Sequence, residues 1–377
     1  MPYCYSPWTN LDIDSQGHMS PCCKFDYYQY KDSQHNINEH TIDEYINSEV
    51  VQQVKADFIA NKWPAGCIRC KIEEENAIES KRQLDYTRWK QHYDVYTEDQ
   101  KLITASIAFG NTCNLKCVTC NSGSSSRWYK EDQAINKKTV KANHFYKENF
   151  VENFLSHTPS LTHLDIGGGE PFLSGVKQQK ELLSWYVKNN KANNISIHYI
   201  TNAQLFPDND WWDLWQHFKE IDIQLSVDGI NSRYEYIRFP GNWNQFVENC
   251  NQFLKAKKVN KNIRLSVSHT LSAYNVYYLD EFFTWCKLTG LPRPWVGRVH
   301  TPAYMRLSVF PEDIKQHIIQ HLLKSRFDDV KTWAKHLDTT DDSIHYKDFL
   351  TRTKAHDAYR GLSFQNTFPE LAKLLAN

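Results

Sequence analysis

The chain has 377 residues, and its 44 Lys and Arg residues balance 44 Asp and Glu residues. This balance excludes a global electrostatic field of the kind that recruits nucleic acid, membrane surfaces or acidic substrates. Because single hydrophobic cores stop growing near ~250–300 residues, we expect one large domain and a smaller one. Residues 1–10 lack a basic segment followed by an apolar run, and no stretch reaches the ~20 apolar residues of a membrane span. These features predict a soluble, cytoplasmic protein with no membrane or nucleic-acid partner.

Ten cysteines are distributed unevenly along the chain. The reducing cytosol disfavours disulfides, so thiols at this density favour metal ligation. Cys250 and Cys286 stand alone in amphipathic helical runs, where burial in a core is the expected role. The other eight form an early group and a compact loop, and they are Cys4, Cys22, Cys23, Cys67, Cys70, Cys113, Cys117 and Cys120.

The predicted elements change in pattern near residue 100. Before it, an extended segment over residues 11–14 ends in a turn at residues 15–17, and a helix is predicted over residues 41–61. After it, short apolar runs alternate with longer amphipathic segments, which is typical of βα units on a parallel sheet. The tail from Pro302 is predicted to be helical, with a helix start at residues 311–313. The predicted strands cover residues 104–109, 163–167, 195–200, 222–227, 263–270 and 295–299.

Six strands with intervening helices predict the α/β class, in the form of a partial, open (β/α)6 barrel of the TIM type. We therefore divide the chain into three predicted parts. These are a small amino-terminal module (residues 1–99), the barrel (residues 100–301) and a carboxyl-terminal helical segment (residues 302–377).

The amino-terminal module carries four cysteines that can act together. Gly17 suits a hairpin turn that brings Cys4 and Cys22 together, and Cys67 and Cys70 follow after a helical spacer. Four thiols are a complete ligand set for either an iron-sulfur cluster or a structural zinc ion. Both alternatives stay open on the residues alone.

The stretch CNLKCVTC places Cys113, Cys117 and Cys120 within eight residues, at the carboxyl end of the first barrel strand. Barrels of this type build their active sites at that end of the strands. Each iron of a four-iron cube needs one ligand besides the cluster sulfides, so three thiolates leave one iron open. The alternatives are a zinc site completed by a distant fourth ligand and a loop of unligated buried thiols.

Glycines and polar residues follow the next three strands. In GGEP the glycines permit close approach to the backbone, and the Glu170 carboxylate can receive a cationic amine. Each residue alone is typical of an ordinary turn or cap, but strand ends converge on one face, so together they predict a small-molecule site. The residues are Gly168, Gly169, Glu170, Thr201, Asn202, Ser226, Asp228 and Arg238.

The cysteine loop, GGEP, the Thr-Asn pair and SVDG with a later arginine resemble the radical S-adenosylmethionine (SAM) superfamily, over roughly residues 100–300. The resemblance implies that Cys113, Cys117 and Cys120 hold a 4Fe-4S cluster whose open iron binds the methionine part of SAM. One electron from the reduced cluster then cleaves SAM, and a 5'-deoxyadenosyl radical abstracts hydrogen from the substrate. The residue before the third cysteine, aromatic in much of the family, is Thr119 here.

The same resemblance implies roles for the residues at the strand ends. The GGEP residues would meet the methionine amine of SAM, while Ser226, Asp228 and Arg238 are candidates for its carboxylate and ribose. Thr201 and Asn202 complete the predicted cofactor-binding set. A reductant such as flavodoxin or ferredoxin is implied as a partner.

The early cysteines follow the pattern C-x12-G-x4-C with a later CxxC. This pattern resembles the twitch module, a shortened relative of the SPASM domain, and implies an auxiliary 4Fe-4S cluster with four cysteine ligands. Cys22 and Cys23 compete for one ligand position, and the glycine spacing favours Cys22. Most such modules follow the barrel, whereas this one precedes it, as in the subgroup of twitch-domain radical SAM proteins.

These features predict an oxidoreductase-like enzyme that abstracts hydrogen from a C–H bond, with no single catalytic residue assigned. The expected outcome is oxidation or crosslinking of a peptide or protein. Dehydrogenation or rearrangement of a small polar metabolite is the alternative, with Arg298 and His300 as candidate contacts in a closed pocket. A non-catalytic iron-sulfur protein for electron transfer or sensing and a zinc-stabilised interaction module are rival classes. The three-ligand loop opposes both, because closed coordination serves each of them better.

Overall fold

The computed structural model describes residues 4–30, 35–75, 79–90, 101–137 and 149–376. The described residues form two compact units. Unit one contains the described parts of residues 1–112, 142–199 and 207–221, and unit two contains those of residues 113–141, 200–206 and 222–377.

Unit one is built on strands β1 (Asn10–Ile13), β2 (Met19–Ser20), β3 (Thr104–Ala108), β4 (His163–Gly167) and the larger part of β5 (Ser196–Thr201). Their spatial order is β2-β1-β3-β4-β5. The strands β1, β3, β4 and β5 run parallel, and β2 is antiparallel to β1. The extended segment predicted at residues 11–14 is therefore a parallel strand beside β3, a pairing that the sequence did not predict.

The hairpin between β1 and β2 turns at Gly17. Its φ of 87° lies in the left-handed region, which glycine adopts without steric cost. The backbone N–H of Gly17 donates to the carbonyl of Asp14 at 2.9 Å, and Asp14 donates to His18 at 3.0 Å. The predicted hairpin turn is confirmed.

One face of the unit-one strands is apolar and forms the core. Leu11, Ile107, Leu164 and Ile197 each have at most 1% of their surface exposed. A slip of one residue in any of these strands would move such side chains to the opposite face, so burial fixes the register. The helix over residues 209–215 adds Trp215, whose ring centroid lies 5.2 Å from that of Tyr199.

The segment predicted as one helix over residues 41–61 forms two helices, Ile42–Ile46 and Glu49–Ile59, so that prediction was wrong. The side chain of Ser48 accepts a hydrogen bond from the backbone of the third residue of the second helix, at 3.4 Å. A serine in this extended conformation caps a new helix instead of continuing the old one.

Unit two holds strands β7 (Ile263–Leu271) and β8 (Trp295–Arg298) and the larger part of β6 (Glu220–Ser226), in the spatial order β6-β7-β8. The strands β7 and β8 are parallel, with Ser268 opposite Trp295. All six predicted barrel strands are present within one or two residues, so the predicted α/β class with parallel strands is confirmed.

The helical tail is also confirmed, since the first helix after Pro311 covers Glu312–Leu322. No helix in the described ranges is long and apolar enough to cross a membrane. The helices are α1 (Ser6–Thr9), α2 (Ile42–Ile46), α3 (Glu49–Ile59), α4 (Ile68–Glu75), α5 (Lys81–Trp89), α6 (Tyr129–Glu131), α7 (Phe150–His157), α8 (Val176–Lys188), α9 (Asn209–Trp215), α10 (Asn231–Ile237), α11 (Trp243–Val259), α12 (Leu279–Thr289), α13 (Glu312–Leu322), α14 (Asp328–Asp338), α15 (Tyr346–Arg360), α16 (Phe364–Thr367) and α17 (Pro369–Leu375).

Candidate active site

The cysteine loop, residues 113–120, is fixed by its backbone to the chain segment that ends α10. The N–H of Lys116 donates to the carbonyl of Phe239 at 2.7 Å, and the N–H of Val118 donates to that of Ile237 at 2.8 Å. Both partners belong to unit two, as does the loop. These bonds hold the loop in an irregular conformation that leaves its side chains to other contacts.

The three thiols of this loop lie at the surface of unit two or just below it. Cys117 is buried, whereas Cys113 and Cys120 are half-buried. A hydrogen bond with Cys120 and the charge of Arg238 lower the pKa of Cys117 against the effect of burial. The side-chain amide of Asn202 lies 3.8 Å from the sulfur of Cys113, and Arg238 Nη1 lies 4.0 Å from that of Cys117. The same hydrogen bond and burial raise the pKa of Cys120. Three neighbouring thiols with nitrogen donors close to two of them fit the ligands of an iron-sulfur cluster.

Arg238 also forms a buried ion pair. Its Nη2 lies 2.8 Å from Asp228 Oδ2, and the other carboxylate oxygen accepts a hydrogen bond from the backbone of Thr270 at 2.7 Å. Burial works against the charge, but Asp228 outweighs it and raises the pKa of Arg238. The hydroxyl of Ser226 meets that of Ser268 at 3.5 Å. Asp228 and Arg238, both predicted to bind the cofactor, are therefore ion-pair partners of each other.

The residues that end β5 reach the same loop. Asn202 donates to the side-chain carbonyl of Asn114, within the cysteine loop, at 2.7 Å. The hydroxyl of Thr201 accepts a hydrogen bond from the backbone of Ala203 at 3.0 Å, so it shapes the turn instead. Asn202 thus joins the end of a strand to the loop, as the convergence of strand ends predicted.

The GGEP turn lies in unit one against the residues that end β3 and precede the cysteine loop. Gly168 and Gly169 have φ values of 75° and 53°, and a Cβ at either would collide with Ala108 or with the carbonyl of Thr112. The backbone N–H of the fully buried Glu170 donates to that same carbonyl at 2.9 Å. The two glycines therefore permit close approach of neighbouring protein atoms in unit one, where the sequence predicts close approach of a ligand.

The four predicted auxiliary ligands surround one small cavity in unit one. Cys4, Cys22, Cys67 and Cys70 line it, whereas Cys23 is not among its lining residues. The hairpin at residue 17 and the helix α4 bring these thiols together from three parts of the chain. The arrangement agrees with the preference for Cys22 over Cys23.

The cavity places two basic side chains beside the four thiols. Burial raises the pKa of the Cys4 and Cys22 thiols. Lys81 and Arg82 line the same cavity, and Asp85, Cys23 and Cys22 raise the pKa of Lys81 despite its burial. In the described part of the chain, no three His, Cys, Asp or Glu side chains are spaced as ligands of a single metal ion. The fit to a metal centre therefore rests on the chemistry of the side chains, which are four thiols beside two cations. An iron-sulfur cluster or a zinc ion would use these thiols as ligands.

A polar row crosses five strands of unit one, on the face opposite the apolar core. Ser20, Asp12, Ser106, Asp165 and His198 occupy directly paired positions on β2, β1, β3, β4 and β5. The hydroxyl of Ser20 donates to Asp12 at 3.2 Å, and His198 Nδ1 lies 2.8 Å from Asp165. Parallel strands are usually apolar on both faces. Polar and apolar residues alternate in HLDIG and NLDI, and this alternation could have predicted the polar row. The row was not predicted from the sequence.

Arg298 and His300, the predicted substrate contacts, line a cavity of about 340 Å³ in unit two. His336 lies on its wall in direct contact with Arg298. Arg306 and Asp342 form an ion pair of 2.7 Å there. The cavity is polar and open on one side, so it suits a small charged group.

The sequence comparisons agree with this geometry. Residues 107–270 match the model of the radical SAM superfamily, and residues 4–71 match SPASM, described as an iron-sulfur cluster-binding domain. The superfamily model covers 164 of the 377 residues, so this region of the chain is similar to radical SAM proteins. Both resemblances drawn from the sequence are confirmed, and the two matched models imply 4Fe-4S clusters and SAM as cofactors.

Several superfamily relatives are similar over part of the chain. The sporulation killing factor maturation protein SkfB of Bacillus subtilis (strain 168) is 22% identical over 193 residues, which are 50% of this chain and 40% of SkfB. Native anSMEcpe with bound AdoMet aligns with a TM-score of 0.44 at 18% identity, over 58% of this chain and 59% of that chain. Streptococcus suis SuiB bound to S-adenosylmethionine gives a TM-score of 0.35 at 13% identity, over 74% and 58%. The chain thus spans less than two thirds of the length of each of these relatives.

Proposed function

We propose that this chain is an enzyme that uses SAM to start radical chemistry. Cys113, Cys117 and Cys120 would hold a 4Fe-4S cluster with one open iron. With SAM bound, such a cluster would supply the electron for reductive cleavage of SAM, which would start the removal of a hydrogen atom from the substrate. Three thiols suit this chemistry because a fourth would close the site to SAM.

The observation that carries the proposal is the meeting of strand-end residues with the cysteine loop in unit two. Asn202, from the end of β5, approaches Cys113 at 3.8 Å across 89 residues of sequence. Arg238, which follows β6 and α10, approaches Cys117 at 4.0 Å across 121 residues. Convergence at the carboxyl ends of strands is typical of active sites in barrels of this type. A loop whose thiols have only a structural role does not require strand-end residues close to its sulfur atoms.

The buried pair of Arg238 and Asp228 suits the recognition of SAM. An arginine held charged beside the cluster can attract the carboxylate of the methionine part, and Asp228 fixes its orientation. Ser226 and Thr201 offer hydroxyls at the same strand ends.

The four cysteines of unit one are proposed to hold an auxiliary 4Fe-4S cluster. Lys81 and Arg82 would balance part of its negative charge. A fully thiolate-ligated cluster can accept the second electron of a two-electron oxidation. The proposed net reaction is therefore oxidation or crosslinking, with one hydrogen atom leaving as 5'-deoxyadenosine, one electron passing to the auxiliary cluster and one proton passing to a base.

A peptide or protein is the proposed substrate. The similarity to SkfB supports this, because SkfB is named for the maturation of the sporulation killing factor. A flavodoxin or ferredoxin is the proposed source of the first electron.

The test is anaerobic reconstitution with iron and sulfide, followed by reduction with dithionite in the presence of SAM. We expect about eight irons per chain, in two clusters, and release of 5'-deoxyadenosine with methionine. Cys117→Ala is expected to abolish the cleavage of SAM while the fold persists. Cys250→Ala is the matched control, since Cys250 is equally buried but lies in α11 of unit two.

Two results would contradict the proposal. Zinc in place of iron, with SAM left intact, would indicate a zinc-stabilised interaction module. Iron without SAM cleavage would indicate an electron-transfer or sensing protein.

A small polar metabolite is the second candidate substrate. The polar lining of the cavity beside Arg298 and His300 supports it, although this cavity is open where the sequence predicts a closed pocket. Arg298→Gln discriminates between the two classes of substrate. If the substrate is a small anion, the variant keeps SAM cleavage and loses turnover of that substrate. If the substrate is a peptide bound elsewhere, turnover of the peptide is unchanged.

A further inference from the structure

The helix α15, in the carboxyl-terminal segment, contributes two buried side chains to a charged group in unit two, which we call the Glu131 cluster. Its centre is the carboxylate of Glu131, which is 0% exposed. His356 Nδ1 and Arg360 Nε lie 2.7 Å and 2.8 Å from one oxygen, and Lys116 Nζ lies 2.7 Å from the other. His356 and Arg360 follow Glu131 by 225 and 229 residues in the sequence, so no local sequence pattern predicts the cluster.

The Glu131 cluster contains more positive than negative charge. Burial alone would disfavour the ionised carboxyl, but His356, Arg360 and Lys116 hold the pKa of Glu131 down to about 2. One carboxylate therefore faces the two cations of Lys116 and Arg360. Among the described residues, the two Nη atoms of Arg360 have no hydrogen-bond acceptor that would offset the remaining charge.

This charge lies close to the cysteine loop. Lys116 immediately precedes Cys117 in the loop. The guanidinium of Arg360 lies 4.8 Å from the ring centroid of Trp128, and Trp128 Nε1 donates to the carbonyl of Cys117 at 3.0 Å. Arg360 also lies 5.4 Å from the ring of Phe239, whose carbonyl accepts the N–H of Lys116. Two series of contacts, through Trp128 and through Phe239, thus join Arg360 of α15 to the backbone of Cys117 and of Lys116.

We propose that Arg360 and Glu131 tune the reduction potential of the 4Fe-4S cluster held by the cysteine loop, acting as positioning residues from outside its ligand set. Reduction adds a negative charge to the cluster. A buried cation nearby stabilises that charge because little solvent screens it, so the potential rises. The inference rests on the proposed function, since it requires the cluster to bind at Cys113, Cys117 and Cys120.

The test compares two substitutions that break the same ion pair and change the charge in opposite directions. Arg360→Gln removes a cation, so we expect the midpoint potential to fall. Glu131→Gln removes the carboxylate and keeps its volume, so we expect the potential to rise. A merely structural role would loosen the same contacts in both variants and move the two potentials in the same direction.

The measurement is potentiometric titration of the full chain, followed by electron paramagnetic resonance. The signal that changes on addition of SAM identifies the cluster with the open iron and separates it from the auxiliary cluster. Arg360→Lys keeps the charge without the planar fork, and its potential is expected to stay near that of the wild type. Arg352→Gln, on the same helix, is the control, because that side chain is 33% exposed and solvent screens its charge.

Each outcome decides the proposal. Shifts of opposite sign in Arg360→Gln and Glu131→Gln support it, and shifts of the same sign, or no shift, overturn it. If Arg360→Gln does not fold, Lys116→Gln removes the other cation, and a fall in potential is again required. A folded wild type without a SAM-sensitive 4Fe-4S signal overturns the proposed function and this inference with it, whereas a normal signal with unmoved potentials overturns this inference alone.

Discussion

Asp12 and Asp165 both pair with Ser106, from opposite sides, yet the sheet moves their acidities in opposite directions. Burial raises the pKa of Asp12 from 3.8 to about 6, because hydrogen bonds from serines offset only part of the cost of desolvation. At Asp165 burial acts in the same sense, but hydrogen bonds from His163 and His198 outweigh it and lower the pKa well below its usual range. One row of the sheet therefore holds a carboxyl that titrates near neutral pH and a carboxylate that stays ionised.

This difference predicts how Asp12 affects stability as the pH changes. A carboxyl whose pKa is raised by folding contributes stability below its unfolded pKa, and that contribution is lost as the pH rises through about 6. We expect the free energy of unfolding of the wild type, relative to Asp12→Asn, to fall by roughly 2 kcal/mol between pH 4 and pH 7. Denaturant titrations of both proteins at several pH values measure this difference.

Asp14→Asn is the control for that experiment. Asp14 lies in the same hairpin, but hydrogen bonds and the charge of His18 lower its pKa in spite of burial. Its contribution is therefore present above its ordinary pKa and is lost as the pH falls, which is opposite in sign to the contribution of Asp12. Parallel stability curves for the wild type and Asp12→Asn would show that Asp12 does not titrate in this range.

The auxiliary site predicts different effects for two neighbouring cysteines. Cys22→Ala removes a thiol from the cavity shared with Cys4, Cys67 and Cys70, whereas Cys23→Ala leaves the lining intact. After reconstitution, we expect the Cys22 variant to retain about four irons and the Cys23 variant about eight. Iron and sulfide analysis distinguishes them, and equal iron content in both variants would refute the assignment of Cys22.

The GGEP turn predicts a steric requirement at Gly169. Alanine there would place its Cβ against the carbonyl of Thr112, at a positive φ that alanine adopts only with strain. We expect Gly169→Ala to destabilise the fold by about 1–3 kcal/mol and to weaken the binding of SAM. Gly290→Ala is the control, because its φ is also positive but its Cβ would meet open space. A thermal unfolding series compares them, and equal losses would assign the effect to backbone conformation alone.

The ion pair of Asp228 and Arg238 predicts a large cost when one partner is removed. Asp228→Asn leaves the buried guanidinium without its counter-charge, which typically costs about 3–5 kcal/mol. Ser226→Ala, at the same strand end, removes only a hydroxyl that meets Ser268 at 3.5 Å, and we expect a loss below about 1 kcal/mol. Denaturant unfolding measures both, and similar small losses would show that the pair contributes little.

The sequence by itself determined the local features of this protein. Six strands were predicted because apolar β-type runs alternate with helical ones, and this pattern depends only on neighbouring residues. The three thiols of CNLKCVTC and the four early cysteines were also evident, since spacing alone indicates their chemistry. The single helix predicted over residues 41–61 failed for an equally local reason, because the capping role of Ser48 was not recognised.

Only the tertiary structure decided which distant residues meet. The pairing of β1 with β3 and the contact of Arg360 with Glu131 join residues separated by long stretches of chain, whereas Arg238 meets Asp228 across ten residues that include α10. Such contacts are set by the packing of whole elements, and the residues involved carry no mark of their partners. The preference for Cys22 over Cys23 rests on tertiary structure in the same way, since Cys22 and not Cys23 lines the cavity with Cys4, Cys67 and Cys70. The sequence therefore specifies which chemical groups are available, and the packing of the strands and helices specifies which of them act together.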